Sequence, residues 1–173
     1  MRQPRNIAKP LAAVAAIAFL VSTSDSSASS EEQSFDSLGI AEGNEKESSG
    51  LTVEANAATR NDAGNLVSIT WSVENTTNNY VQMTWLHDQS YTYSGPYFSG
   101  VTAIDSSSGT RFHPVMDSNG ECLCAGNTSG KFFNEVAPGG KTTYWSLFSA
   151  PSDVDSIDIE VPGFEPIEDI PID

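Results

Sequence analysis

Cys122-Leu123-Cys124 places two thiols one residue apart, and the 173-residue chain has no other cysteine. Four chemistries compete at such a spacing: a local disulfide, an exchange-active dithiol, a soft-metal site for an ion such as Cu(I), and an intermolecular pair. In an extended strand, residues i and i+2 share a face with Cα atoms about 6.6 Å apart. That is near the roughly 6.8 Å upper limit for a disulfide. The intramolecular bond therefore needs a bend, which Asn119-Gly120 before it and Ala125-Gly126-Asn127 after it are suited to give. Closing a three-residue ring stabilises a fold by only about 1.6 kcal/mol on the chain-entropy estimate. An exchange-active thiol wants positive charge beside it, and Glu121 supplies the opposite. A metal site wants more ligands, whereas the nearest histidine, His113, lies nine residues from Cys122. The expectation is a local disulfide that shapes one turn.

Two further clusters could act. Tyr91, Tyr93, Tyr97 and Phe98 surround Ser94-Gly95-Pro96. Exposed rings on a loop form a platform for a small ligand or glycan, and rings on a loop also simply pack over the core. Asp153, Asp155 and Asp158 precede an alternating segment. They could offer oxygen ligands to Ca²⁺, but they do not follow the EF-hand spacing and read as solvated charge. Neither G-x-S-x-G nor H-E-x-x-H occurs. His87 and His113 are the only histidines. No catalytic residue, metal or cofactor is expected. Asn75-Thr76-Thr77 and Asn127-Thr128-Ser129 fit the N-glycosylation sequon.

The elements that must position these groups are strands. Val67, Ile69, Trp71 and Val73 alternate with Ser68, Thr70, Ser72 and Glu74, a period of two with one buried face. Val81, Met83 and Trp85 repeat the pattern, and the turn-rich Asn75 to Asn79 between the two runs predicts a hairpin. Val53, Ala55 and Ala57 suggest an earlier strand. Later ones are expected at 98–104, 110–116, 131–136, 142–148 and 156–161, separated by glycine- and proline-bearing turns. No apolar repeat of helical period stands out. Seven to nine short strands over residues 51–162 predict an all-β fold, an antiparallel β-sandwich of immunoglobulin-like type. Its core would draw on Trp71, Trp85 and Trp145.

The flanks differ in kind. Residues 1–28 carry Arg2, Arg5 and Lys9, then the apolar run Leu11 to Val21, then the small-residue site Ser26-Ser27-Ala28. That sequence is the pattern of a secretory signal peptide, and the run is shorter than the roughly 20 residues of a membrane span. Removing it takes away three of the eight bases and one of the 23 acids, leaving a net charge of −17. Such a balance disfavours nucleic acid and anionic lipid as partners. Residues 29–50, rich in Ser, Glu and Gly, read as a disordered linker. Residues 163–173, with two Pro-Ile pairs and four acids, read as an extended tail or an edge segment along the sandwich.

The segment Gly100-Val101-Thr102 with Ile104-Asp105, then Arg111 to Val115, then Asp117 to Cys124, then Pro138-Gly139, Trp145 to Pro151 and the proline-bearing end, resembles a family of exported actinobacterial proteins with an immunoglobulin-like domain. Cys-Leu-Cys in this setting is the most specific piece. Some members of that family carry the domain ahead of an OmpA-like peptidoglycan-binding domain. The resemblance implies a fold and a compartment, secreted or cell-envelope, and no reaction. The expectation is a secreted, non-enzymatic interaction module with an unknown protein or cell-wall partner. One alternative is a secreted inhibitor or small-ligand-binding protein using an exposed loop. A second is a thiol redox or metal-binding protein using Cys122 and Cys124.

Overall fold

The computed structural model describes residues 37–87, 91–95, 98–126 and 132–173. The signal-like segment 1–28, residues 29–36, Tyr97 and the sequon at Asn127 lie outside them. Within the described residues the fold is all-β, with ten strands and no helix.

The first sheet grows around β3, Leu66–Asn75. Its apolar residues Val67, Ile69, Trp71 and Val73 are all buried on one face, as the alternation predicts. It pairs antiparallel with β2, Leu51–Arg60, on one side and β8, Lys141–Ser149, on the other. The edge strand β1, Gly39–Glu42, completes the order β1-β2-β3-β8. The second sheet has the order β10-β9-β5-β6, also antiparallel, from Ile167–Pro171, Ser156–Glu160, Thr102–Asp105 and Thr110–Phe112. The two sheets pack into a β-sandwich over one hydrophobic core, shared by Val53, Ile69, Trp71 and Phe148 of the first and Ala103, Ile157, Ile159 and Ile170 of the second. A short ribbon, β4 (Val81–Gln82) with β7 (Glu135–Val136), joins the core through Val136, Met83 and Phe132.

The core centre is aromatic. In register across the first sheet stand Ala55, Trp71 and Tyr144. The Trp71 and Tyr144 rings lie 4.9 Å apart, and Phe98 stands 4.9 Å from Tyr144 and 4.8 Å from Phe132 in edge-on contacts. Such pairs add roughly 0.5–1.5 kcal/mol each beyond the area they bury. Trp71 donates its indole N–H to Ser146 Oγ at 3.3 Å. The Tyr144 hydroxyl donates to Phe133 O, and burial pushes its pKa up to about 12. Of the three tryptophans only Trp71 is fully buried. Trp85 and Trp145 are half-buried against the core rim. Trp145 stands opposite Thr70, one residue out of phase with the Trp71–Tyr144 pair, so it belongs to the outer face.

Three expectations need correction. The hairpin between 67–74 and 81–85 does not form: β3 takes β2 and β8 as partners, and β4 pairs with β7. Asn75 to Asn79 is instead organised by a buried Asn75 side chain. Its Nδ2 donates to Asn79 O at 2.8 Å and Val136 O at 2.9 Å, while Oδ1 accepts from Thr77 N at 2.9 Å and Thr77 Oγ1 at 2.7 Å. That also removes the sequon at Asn75, because the amide a glycan would modify is buried and fully bonded. The segment 37–50, read as part of a disordered linker, is folded. β1 pairs with β2 from Gly39↔Ala55 to Glu42↔Thr52, and Ala41 is buried. At Gly39 an added Cβ would stand 2.5 Å from Ile167 Cγ2, so this glycine lets β1 lie close against β10. Third, the alternation in β2 breaks between Ala55 and Ala57, where a bulge at Asn56 turns Ala58 inward.

Residues 163–173 run along the sandwich. Ile167 and Ile170 of β10 are buried against β9, and Pro171 is tolerated because β10 is an edge strand. The following residues stitch the ends together: Ile172 N donates to Asp155 O, Asp173 N to Ala58 O, and Arg60 N to Asp173 O.

Candidate functional site

The Cys-Leu-Cys turn forms first from local chemistry. Asp117 Oδ1 accepts from the backbone N–H of Asn119 at 2.8 Å and Glu121 at 2.9 Å, and Gly120 takes a φ of 82° that suits glycine. Those bonds, led by the one from Glu121, hold the Asp117 carboxyl below the usual range. Cys122 and Cys124 form a disulfide with Cα atoms 5.3 Å apart. The bend required by the spacing is therefore present. Both cysteines are fully buried, with Tyr93 packed over them and its hydroxyl donating to Pro114 O at 2.7 Å.

This turn closes the open edge of β8. Leu123 N donates to Val115 O, Leu147 N to Leu123 O, Val115 N to Leu147 O, and Ala125 N to Trp145 O. An unpaired edge strand invites association with other chains, and here the disulfide segment occupies it.

The ring cluster expected at Tyr91, Tyr93 and Phe98 divides. Tyr91 is exposed, Tyr93 is half-buried on the disulfide, and Phe98 is 2 % exposed in the aromatic core. Phe98 is thus a packing residue and cannot line a surface platform. Tyr91 and Tyr93 stay together at 6.3 Å, and Tyr91 stands 4.6 Å from the ring of His113.

His113 leads to a site that no sequence motif announced. A groove of about 540 Å³ lies on the second sheet, and both histidines of the chain, His87 and His113, line it. The sheet supplies Thr102 from β5, Arg111 from β6 and Glu160 from β9. These three share the outer face because Thr102 and Glu160 are register partners and Arg111 pairs with Ile104, two residues along β5. Arg111 Nη1 donates to Thr102 Oγ1 at 2.7 Å and is paired with Glu160. The hydrogen bond that it donates to the Glu160 carboxylate holds the guanidinium pKa above its ordinary value. This pair is well exposed, so its worth to stability is at most about 1 kcal/mol.

The opposite wall is apolar: Trp85, Val161, Pro162, Phe164 and Pro166. Trp85 Nε1–H donates to Pro162 O at 3.0 Å, which fixes the ring. Gly163 has a φ of 84°, and a Cβ there would sit 3.1 Å from Trp85 Nε1. The wall needs a glycine for both reasons. The 44–48 turn braces it, through Asn44 N to Gly163 O at 2.9 Å and through Ser48 Oγ, which donates to Gly163 O. The segment expected to be a linker thus supports the groove. Sequence reasoning missed the groove because its groups come from five separated segments; only the alternation of Arg111 with His113 and of Asp158 with Glu160 hinted at a shared polar face.

Among the described residues no group of three His, Cys, Asp or Glu side chains is arranged to hold a metal ion. Of the acids considered for Ca²⁺, Asp158 accepts from Asp169 N at 2.9 Å and from Ser106 Oγ, which uses its oxygens in loop bonding. No protein-family description, curated protein or solved structure matches this chain.

Proposed function

We propose that this protein is a secreted, non-enzymatic, immunoglobulin-like binding module of the cell envelope or its surroundings, and that the groove over the second sheet is its ligand site. The observation that carries the reading is the convergence there of Trp85, both histidines, Thr102 and the Arg111–Glu160 pair, opposite an apolar wall. Ligand sites combine an apolar surface with a few placed polar groups in clefts of about 300–1,000 Å³. Export and the immunoglobulin-like assignment rest on the N-terminal pattern and on the family resemblance. The reading that uses Cys122 and Cys124 as a redox or metal pair is disfavoured by their burial beneath Tyr93, since exchange-active thiols need access.

The test is a screen of polar ring compounds by amide and indole NMR shifts on the ¹⁵N-labelled domain. Shifts should cluster on Trp85, Thr102, Arg111, Glu160 and Gly163. Binding that maps only to the Tyr91–Gly95 segment would move the site away from the groove, and a screen with no shifts in the groove would sink the proposal.

A further inference from the structure

Of the two arginines beyond the signal-like segment, Arg60 is spent inside the fold. It donates to Gly64 O at 3.1 Å, to Ala150 O at 3.0 Å and to Val154 O at 2.5 Å. Arg111 is different. Thr102 and Glu160 both contact Nη1, and the side chain is 43 % exposed. Among the described residues its Nε and Nη2 edge has no hydrogen-bond partner. That edge is the fork that binds a carboxylate through two parallel bonds. Glu160 and Thr102 anchor the other nitrogen, so the fork is oriented before any ligand arrives. His87 and His113 line the same groove, and Trp85, Pro162, Phe164 and Pro166 supply apolar lining.

We infer that the groove's ligand is a ring compound bearing a carboxylate, with the carboxylate on the Nε–Nη2 edge of Arg111 and the ring against the Trp85 wall. The inference rests on the groove being a ligand site and names its chemistry. A carboxylate on a ring occurs in sugar acids and in aromatic acids, and both would satisfy the fork. Ring hydroxyls of a sugar acid could also reach Glu160. The protein's net charge of −15 repels anions at long range. An acid held here must therefore be recognised at contact, through the fork.

The test uses glucuronate and benzoate, each against its uncharged counterpart, glucose and benzamide, on the wild-type protein. The Trp85 indole cross-peak, assigned with Trp85→Phe, reports binding. At least one acid should bind about tenfold more tightly than its counterpart, the worth of a charge-assisted pair. Arg111→Gln should abolish that preference, and Arg111→Lys should restore it only in part because the fork is gone. Thermal melts check that both variants fold. Glucuronate or benzoate alone responding identifies the source and supports the inference. Equal binding of acid and counterpart overturns it while leaving the groove a ligand site. No binding of either acid overturns it outright.

Discussion

Replacing Asn75 tests the reasoning most sharply, because its side chain uses all four hydrogen-bonding positions. Nδ2 donates twice, to Asn79 O and Val136 O, and Oδ1 accepts twice, from the N–H and hydroxyl of Thr77. The residue is fully buried at the junction where β3 leaves its sheet and the chain crosses to β4. A net hydrogen bond is worth about 0.5–1.5 kcal/mol. Four of them, two of whose partners lie at an exposed turn that water can reach, put Asn75→Ala at about 3 kcal/mol of lost stability. Asn75→Asp has nearly the same shape and keeps both accepting bonds. It replaces two donors with an oxygen facing two carbonyl oxygens, one of them, Val136 O, in a buried contact. At neutral pH it should therefore cost more than Asn75→Ala, since a carboxylate buried with one oxygen turned on two carbonyls and lacking a donor is penalised by desolvation. That penalty raises the folded-state pKa of the introduced carboxyl above its unfolded value, near 3.9. The sign follows: the folded variant binds a proton more readily, so its deficit against wild type is smallest below about pH 4 and grows as pH rises through the raised value. Urea unfolding of the three proteins at pH 3.5 and pH 7 gives all the comparisons. If Asn75→Asp is as stable as Asn75→Ala or better at pH 7, the account of the turn is wrong.

The disulfide should be a weak staple. Cys122→Ala with Cys124→Ala should cost about 1.6 kcal/mol from loop closure and leave the far-ultraviolet spectrum unchanged, because two backbone bonds, Leu147 N to Leu123 O and Ala125 N to Trp145 O, still tie the segment to β8; collapse of the sheet signal would refute this. Intact mass without reduction should show a two-hydrogen deficit and no alkylation. Gly163→Ala should lose roughly 1–2 kcal/mol from the left-handed backbone and shift the Trp85 indole resonance; an unchanged resonance would contradict the close approach. Asp117, whose carboxyl is held low by turn N–H groups, contributes stability above the unfolded carboxylate pKa, lost as pH falls through the lowered value. Melting curves of wild type and Asp117→Asn should therefore converge on acidification, and parallel curves would falsify the assignment.

The legible part of the fold was its faces. Val67, Ile69, Trp71 and Val73 announced their burial because side chains alternate along a strand, whatever the partner. Partners were less legible. Alternation does not say which strand lies alongside, so Asn75 to Asn79 suggested a hairpin when the asparagine side chain was already committed to the turn. Composition misjudged 37–50 for a related reason. The segment's few apolar residues were counted alone, yet Ala41 needs only the surface that β2 and β10 provide. Tyr91 and Tyr93 were found as a cluster, but nothing in their spacing separated them from Phe98, which the core claims.

The sequence by itself determined the buried face of the central strand at Val67 to Val73, the export-like start, the acidity and the tight Cys122–Cys124 spacing, because each is written in the order and types of the residues themselves. Tertiary structure alone decided that the disulfide turn caps the edge of β8, and that Arg111, Glu160, Thr102, Trp85 and the two histidines meet. That meeting depends on strands distant in sequence pairing in one register, and register is set by the whole core, through contacts no local pattern contains.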